Sequence, residues 1–352
     1  MEIPFLTRNS RMPPIFDIRE DLSDVEFDDG TVCKKLMKIA MSNNEVFLVE
    51  RSPKNNSNEL YLEAMKEIRV ESCDEHRILR IRSLFGRGVG KHENLIQVRW
   101  TKQKGNIFYV FLEYMDLDNL DSLQLDDRQR LVCFEEYFAG HVAAKLVLAL
   151  NHLRSRLIAH RDFKPANVLL STLGDIKVCD FDIGRVLESD GEEMSSLVGT
   201  DEYMAPEIFS GKYTLKCEIW SLGIILFKML FGGLPKTSNP IDEIRPQWSE
   251  HSTKDSGSNS DDGKWPEKKE CSIEAYDFLN KCLQRDPANR YSADQLTSTK
   301  FFLKYNDVPK SEIEKYLKKF THIRFNCFLT HGNIKNLRQR TMVNNPLERF
   351  RI

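Results

Sequence analysis

Fifty-one lysines and arginines offset 53 acids in a chain of 352 residues, leaving a formal charge of −2, with 41% of side chains apolar and 30% charged. A chain of this length and composition folds into about two domains with cores of their own. Its near-neutral balance excludes a protein defined by bulk attraction to nucleic acid or to an anionic membrane. The longest strongly apolar stretch, Trp220 to Phe231, is interrupted by Lys228. It falls short of the roughly 20 residues that cross a bilayer, so it reads as a core helix and no membrane partner is expected. Met1-Glu2-Ile3-Pro4 has neither the basic nor the apolar region of a secretory signal, and an intracellular location is expected, with cytoplasm and nucleus left open. The eight cysteines are scattered without a C-x-x-C pair, which argues against a zinc ribbon or a disulfide framework.

In chain order, residues 1–31 come first, with seven acids between positions 17 and 29; such a segment is expected to be a flexible acidic leader. Over residues 32–113 short β-like runs predominate, among them Val46-Phe47-Leu48-Val49 and Asn106 to Leu112, with a helical stretch near Asp74 to Phe85. From residue 114 the pattern turns helical. Phe138, Val142, Leu146, Leu150 and Leu153 recur every three to four residues and mark one buried face. Within this second region, which runs to 303, residues 249–264 contain no large apolar side chain and are expected to be a disordered surface insertion. The stretch 304–352 carries eleven Lys/Arg against four acids and reads as a basic tail along the main domain. Docking of nucleic acid there is the less favoured reading.

The chemistry is concentrated in the middle. His160-Arg161-Asp162-Phe163-Lys164-Pro165-Ala166-Asn167 is followed by two apolar runs, Val168-Leu169-Leu170 and Ile176-Lys177-Val178-Cys179, which predict a polar loop and then a hairpin. Asp180-Phe181-Asp182 comes next, and then Gly199-Thr200-Asp201-Glu202-Tyr203-Met204-Ala205-Pro206-Glu207. In order and spacing these stretches resemble the H-R-D-x-K-x-x-N, D-F-G and A-P-E motifs of the eukaryotic protein kinases. Glu218 to Gly223 and Arg285 to Arg290 continue the likeness.

The resemblance implies an α+β, bilobal protein-kinase-like fold: a small β-rich N-lobe with one main helix over 32–113 and a larger helical C-lobe over 114–303. It implies ATP, Mg²⁺ and protein substrates. Asp162 would accept a hydrogen bond from the acceptor hydroxyl and Lys164 would offset phosphate charge. Asn167 and Asp180 would supply the hard oxygen ligands that magnesium prefers. Lys66, in Ala64-Met65-Lys66, resembles the lysine that holds the nucleotide phosphates, and Ile39 to Val46 the loop that covers them, with Ala40, Ser42 and Val46 facing ATP. Leu112 would be the gatekeeper, and the backbone of Glu113 and Met115 would bond adenine. Lys164 with Gly199-Thr200 looks like the serine/threonine branch. Glu207 would pair with Arg290 as a structural ion pair, and Arg161 would receive a phosphate placed by an upstream kinase on the activation segment. Ser195, Ser196 and Thr200 are the phosphosite candidates, with Ser195 or Ser196 favoured because Thr200 suits a structural or substrate-site hydroxyl.

Three departures shape the expectation. The loop from Ile39 to Val46 has no glycine, Asp182 stands where the family has glycine, and residues 80–85 hold no carboxylate to pair with Lys66, Glu75 being only nine residues beyond it. Gly86-Arg87-Gly88-Val89-Gly90 follows a helix and reads as a turn, not a phosphate loop. A short likeness over Glu274 to Leu279 to the cell-division-cycle kinases that fire replication origins implies an activating subunit. The leading reading is an ATP-dependent serine/threonine protein kinase whose activity is low or partner-dependent. The alternative is a pseudokinase scaffold or allosteric partner with weak or no phosphotransfer.

Overall fold

The computed structural model describes residues 22–41, 45–52, 61–69, 84, 88–125, 130–246 and 269–320. Ser42, the expected helix around Glu75, the 249–264 segment and residues 321–352 lie outside these. Two units are distinguished by their internal contacts, the first built from 22–69 and 98–114 and the second from the remaining described residues.

The first unit is a six-stranded antiparallel sheet in the order β1-β2-β3-β4-β6-β5. Its strands are β1 (Val25–Glu26), β2 (Val32–Met41), β3 (Glu45–Ser52), β4 (Tyr61–Arg69), β5 (Val98–Lys104) and β6 (Ile107–Glu113). Alternation sorts the side chains. On one face Phe47, Val49, Met65, Tyr109 and Phe111 are buried together with Cys33, Val25 and Phe27. The expectation of a flexible leader over 1–31 is therefore corrected from Leu22 onward. Between the acids, Val25 and Phe27 point alternately inward, and the Phe27 ring meets Trp100, Tyr109 and Phe111 edge-on at 5.9, 5.2 and 6.1 Å. Lys102 pairs with Asp29, one of the acids that suggested a solvated segment.

The second unit begins with residues 88–97, which the sequence grouped with the β-rich region. Here they are bonded to the hairpin of the larger unit: Ile96 N–H donates to Val178 O, and Val178 N–H to Asn94 O, both at 2.9 Å. Then follow β7 (Asp118–Asn119), α1 (Leu120–Leu123), α2 (Glu136–Ser155), β8 (Ile158–Ala159), β9 (Val168–Leu170), β10 (Ile176–Val178) and β11 (Arg185–Val186). The rest comprises α3 (Lys216–Phe231), the parallel pair β12 (Ile244–Pro246) and β13 (Lys269–Cys271), α4 (Ile273–Cys282), α5 (Ala293–Leu296), α6 (Lys300–Tyr305) and α7 (Lys310–Leu317). Phe138, Val142, Leu146, Leu150 and Leu153 are all buried along α2. A Cβ at Gly140 would stand 2.3 Å from the Tyr305 ring, so only glycine lets α6 approach α2 this closely.

The start of the expected basic tail is also corrected, because 304–320 belongs to the packed unit. Ile313, Tyr316 and Leu317, at helical spacing, are buried, and Tyr316 stacks on Phe138 at 4.4 Å. Two of its lysines are paired with acids, Lys310 with Asp175 at 2.5 Å and Lys319 with Glu135 at 2.9 Å. Among the described residues no helix is long and apolar enough to cross a membrane.

Candidate active site

β8 is only two residues long, and at its end the chain turns sharply through Arg161, whose φ of 67° lies in the left-handed region. Such a backbone persists only where its surroundings fix it. Here the buried carboxylate of Glu218, in the first turn of α3, does so: its Oε1 accepts from His160 N–H and, at 3.0 Å, from Arg161 N–H. Burial pushes the Glu218 carboxyl up to about 7. His160 is itself wholly buried and held neutral by burial, its pKa lowered from the ordinary value. Asp162 N–H donates to its Nδ1 at 3.2 Å, so the ring hydrogen is on Nε2 and is given to Cys179 O at 2.8 Å. One imidazole thus ties the loop to the residue before Asp180, and its ring lies 4.8 Å from that of Phe181.

The Asp162 carboxylate is the centre of the arrangement. Thr200 Oγ1 donates to its Oδ1 at 2.7 Å, while Lys164 Nζ at 2.7 Å and Asn167 Nδ2 at 3.0 Å approach Oδ2. Lys164 also donates to Thr200 Oγ1 at 2.8 Å. Because Asn167 spends both amide hydrogens on Asp162, at the carbonyl (2.8 Å) and at Oδ2, its side-chain oxygen is left as an acceptor. Cys179 N–H donates to the backbone carbonyl of Asn167 at 2.9 Å, and Asp180 is the next residue along the chain. Asp180 has φ 66°, a second left-handed residue in the same loop pair. Asp162, Lys164, Asn167 and Thr200 are therefore brought together, with Asp180 following directly from the hairpin.

Thr200 was read from the sequence as one of three phosphosite candidates. Its hydroxyl is engaged by both Asp162 and Lys164, whereas Ser195 and Ser196 are exposed. Gly199 (φ 121°) is required beside it, since a Cβ there would lie 2.6 Å from Arg161 O. The Arg161 guanidinium donates through Nε to Ile183 O at 2.6 Å. Farther along, Glu207 meets Arg290 at 2.5 and 3.0 Å, a bidentate pair in which the arginine side chain is fully buried and also donates to Gln284 O and Lys216 O. Trp220 covers it, 5.3 Å from guanidinium to ring. Sequence reading missed Glu218 as an anchor because its partners lie 58 and 57 residues away.

In the smaller unit, Lys66 is buried in the middle of β4, with Val46 and Val110 as its register partners on β3 and β6. Ala40 pairs with Val46 across the hairpin. Two residues along, Ala64 pairs with Leu48 and Leu112, so by alternation Val46, Leu48, Ala64, Lys66, Val110 and Leu112 share one face. These six side chains are apolar apart from one lysine, as a surface for a flat heterocycle with a phosphate chain needs to be. Glu113 ends β6 opposite Glu63, and Met115, buried, opens the larger unit.

Comparison with known proteins agrees with this geometry. The family described as protein kinase domain matches residues 49–302. The MAP kinase-interacting serine/threonine-protein kinase mnk-1 of Caenorhabditis elegans is 33% identical over 258 residues, 65% of this chain and 36% of that one. The serine/threonine-protein kinase STE20 of Debaryomyces hansenii is 29% identical over 287 residues, 80% of this chain and 25% of its own length. Probable serine/threonine-protein kinase CCRP1 of Zea mays is 30% identical over 224 residues, 62% of this chain and 33% of its own. The chain spans well under half the length of each of these relatives. With the family match covering most of its residues, the chain belongs to the protein kinase domain family.

Proposed function

We propose that the chain transfers the γ-phosphoryl group of ATP to serine or threonine hydroxyls of protein substrates. The observation that carries this is the Asp162 carboxylate, bonded at once by Thr200, Lys164 and Asn167. Phosphoryl transfer needs positioning and charge neutralisation more than covalent chemistry. Asp162 accepts the hydrogen bond of an incoming hydroxyl and orients it. Lys164 faces the charge that develops on the transferred group. Thr200 fixes both side chains in one rotamer.

The donor set fits magnesium, which keeps water and phosphate oxygens and takes only one or two protein ligands. Asn167, through its free amide oxygen, and Asp180 would hold it, and no cluster of three metal-binding side chains exists among the described residues. When bound, magnesium neutralises negative charge on the nucleotide phosphates. Lys66 and the apolar face around it would take the nucleotide, with Leu112, Glu113 and Met115 at the adenine end.

The scaffold alternative draws on Asp182, the glycine-free loop and the lack of a carboxylate over 80–85 to pair with Lys66, whereas the Asp162 arrangement is complete. Incubation with labelled ATP, Mg²⁺ and a generic protein acceptor, followed by phosphoamino-acid analysis, should give phosphoserine or phosphothreonine. Label on tyrosine, or nucleotide binding with no label transferred, would overturn the reading.

A further inference from the structure

Every residue from Asp180 to Glu207 is placed, and the stretch before Thr200 carries its own ion pairs. Arg185 opens β11, which pairs with β8 in the register Arg185↔Ala159 and Val186↔Ile158, and β8 leads directly into His160. Glu192 folds back onto this strand. Its Oε1 meets Arg185 Nη2 at 2.5 Å, and its Oε2 accepts from Glu188 N–H at 2.5 Å. The carboxylate side chain is only 19% exposed. Two residues earlier Asp190 takes the guanidinium of Arg154, from the last turn of α2, through contacts of 3.0, 3.1 and 2.6 Å. This fork holds the Asp190 carboxyl below its ordinary range. Beyond Glu192 the wholly buried Met194 exchanges backbone hydrogen bonds of 2.7 and 3.0 Å with Tyr213, whose hydroxyl donates to Ser196 O at 2.7 Å.

A phosphate added to a loop orders it by bringing negative charge to arginines. In this chain two carboxylates of the loop already bring that charge to Arg185, on the strand paired with β8, and to Arg154, on the helix that precedes the catalytic loop. Arg161 is engaged with Ile183 O from the same stretch. We propose that Glu192, together with Asp190, is a built-in counter-charge that orders residues 185–199 without an added phosphate. Glu192 is then a positioning residue, acting on His160 to Asp162 through Arg185 and the β11–β8 pair. Its consequence for rate rests on the kinase reading; the ordering of the segment does not. Phosphorylation of Ser195 or Ser196 is accordingly not required for activity.

The test uses the full chain, treated with phosphatase and shown by intact mass to be unmodified, and reads both hydrogen exchange over 185–199 and phosphate transfer. The unmodified chain should be protected there, and the Ser195→Ala/Ser196→Ala double variant should match it in protection and rate. Glu192→Gln should lose protection by about fivefold, and Asp190→Asn/Glu192→Gln by about tenfold or more, as expected for partly exposed ion pairs. kcat should fall in proportion while KM for ATP and the main melting transition stay unchanged, and the difference should fade in concentrated salt, which screens the pairs. A segment that exchanges freely until Ser195 or Ser196 is phosphorylated, or full protection in Glu192→Gln, would overturn the inference. Protection lost in Glu192→Gln with no transfer by any form would uphold the ordering and reject the kinase reading.

Discussion

Thr200 Oγ1 is bonded to both Asp162 and Lys164, so it bridges the Asp162 carboxylate and the Lys164 ammonium. A hydrogen bond to a charged group contributes about 1.5–3 kcal/mol, which corresponds to roughly ten- to hundredfold in rate if it is lost in the transition state. Thr200→Ala should therefore lower kcat by about that factor, while Thr200→Ser keeps the hydroxyl and most of the rate. Unaltered kinetics in Thr200→Ala would show that the hydroxyl is a bystander. Glu218 makes a different prediction. Its carboxyl is raised to about 7 by burial, above its unfolded value. The folded state then binds the extra proton between the two values, so stability is full below about pH 4.5 and is lost as pH rises towards 7. Glu218→Gln keeps an acceptor oxygen for His160 and Arg161 N–H but does not titrate. Denaturant unfolding at pH 5 and pH 8 should show the variant gaining about 2 kcal/mol relative to wild type across that interval. A gap independent of pH would contradict the assignment.

At the scale of elements, the clearest dependence is that of the small sheet on β1. Phe27 is 3% exposed and meets three rings, of which Trp100 and Phe111 are themselves stacked at 3.7 Å. Phe27→Ala should cost about 3–5 kcal/mol, the range for a buried aromatic truncated to alanine. Hydrogen exchange should show the loss in β5 and β6, and unchanged protection there would mean that the strand merely rests on the sheet. The acids around Val25 and Phe27 concealed this strand from the sequence, because a count of charges does not register a two-residue alternation. α2 was legible for the opposite reason: its apolar spacing persists over five positions, from Phe138 to Leu153. The hairpin β9–β10 was legible too, its apolar runs being separated by a turn at Ser171 to Asp175. α7 was hidden by the lysines that flank Ile313, Tyr316 and Leu317, although the helical spacing of these three was present.

For the molecule as a whole, the candidate site was readable where its groups are close in sequence. Asp162, Lys164 and Asn167 fall within six consecutive positions, and their motif carried the family, which the match over 49–302 bears out. What the sequence withheld were long-range dependences: Glu218 under the catalytic loop and Thr200 between two side chains 36 and 38 residues away. Each follows from a backbone path that no local pattern encodes. The central claim remains that Asp162 is the group that orients the acceptor hydroxyl for phosphoryl transfer. Its most direct test measures transfer from ATP·Mg²⁺ by wild type and Asp162→Ala side by side, with nucleotide affinity measured on both. The account predicts equal affinity and a rate lower by about 10²–10⁴-fold in the variant; equal rates from the two proteins would contradict it.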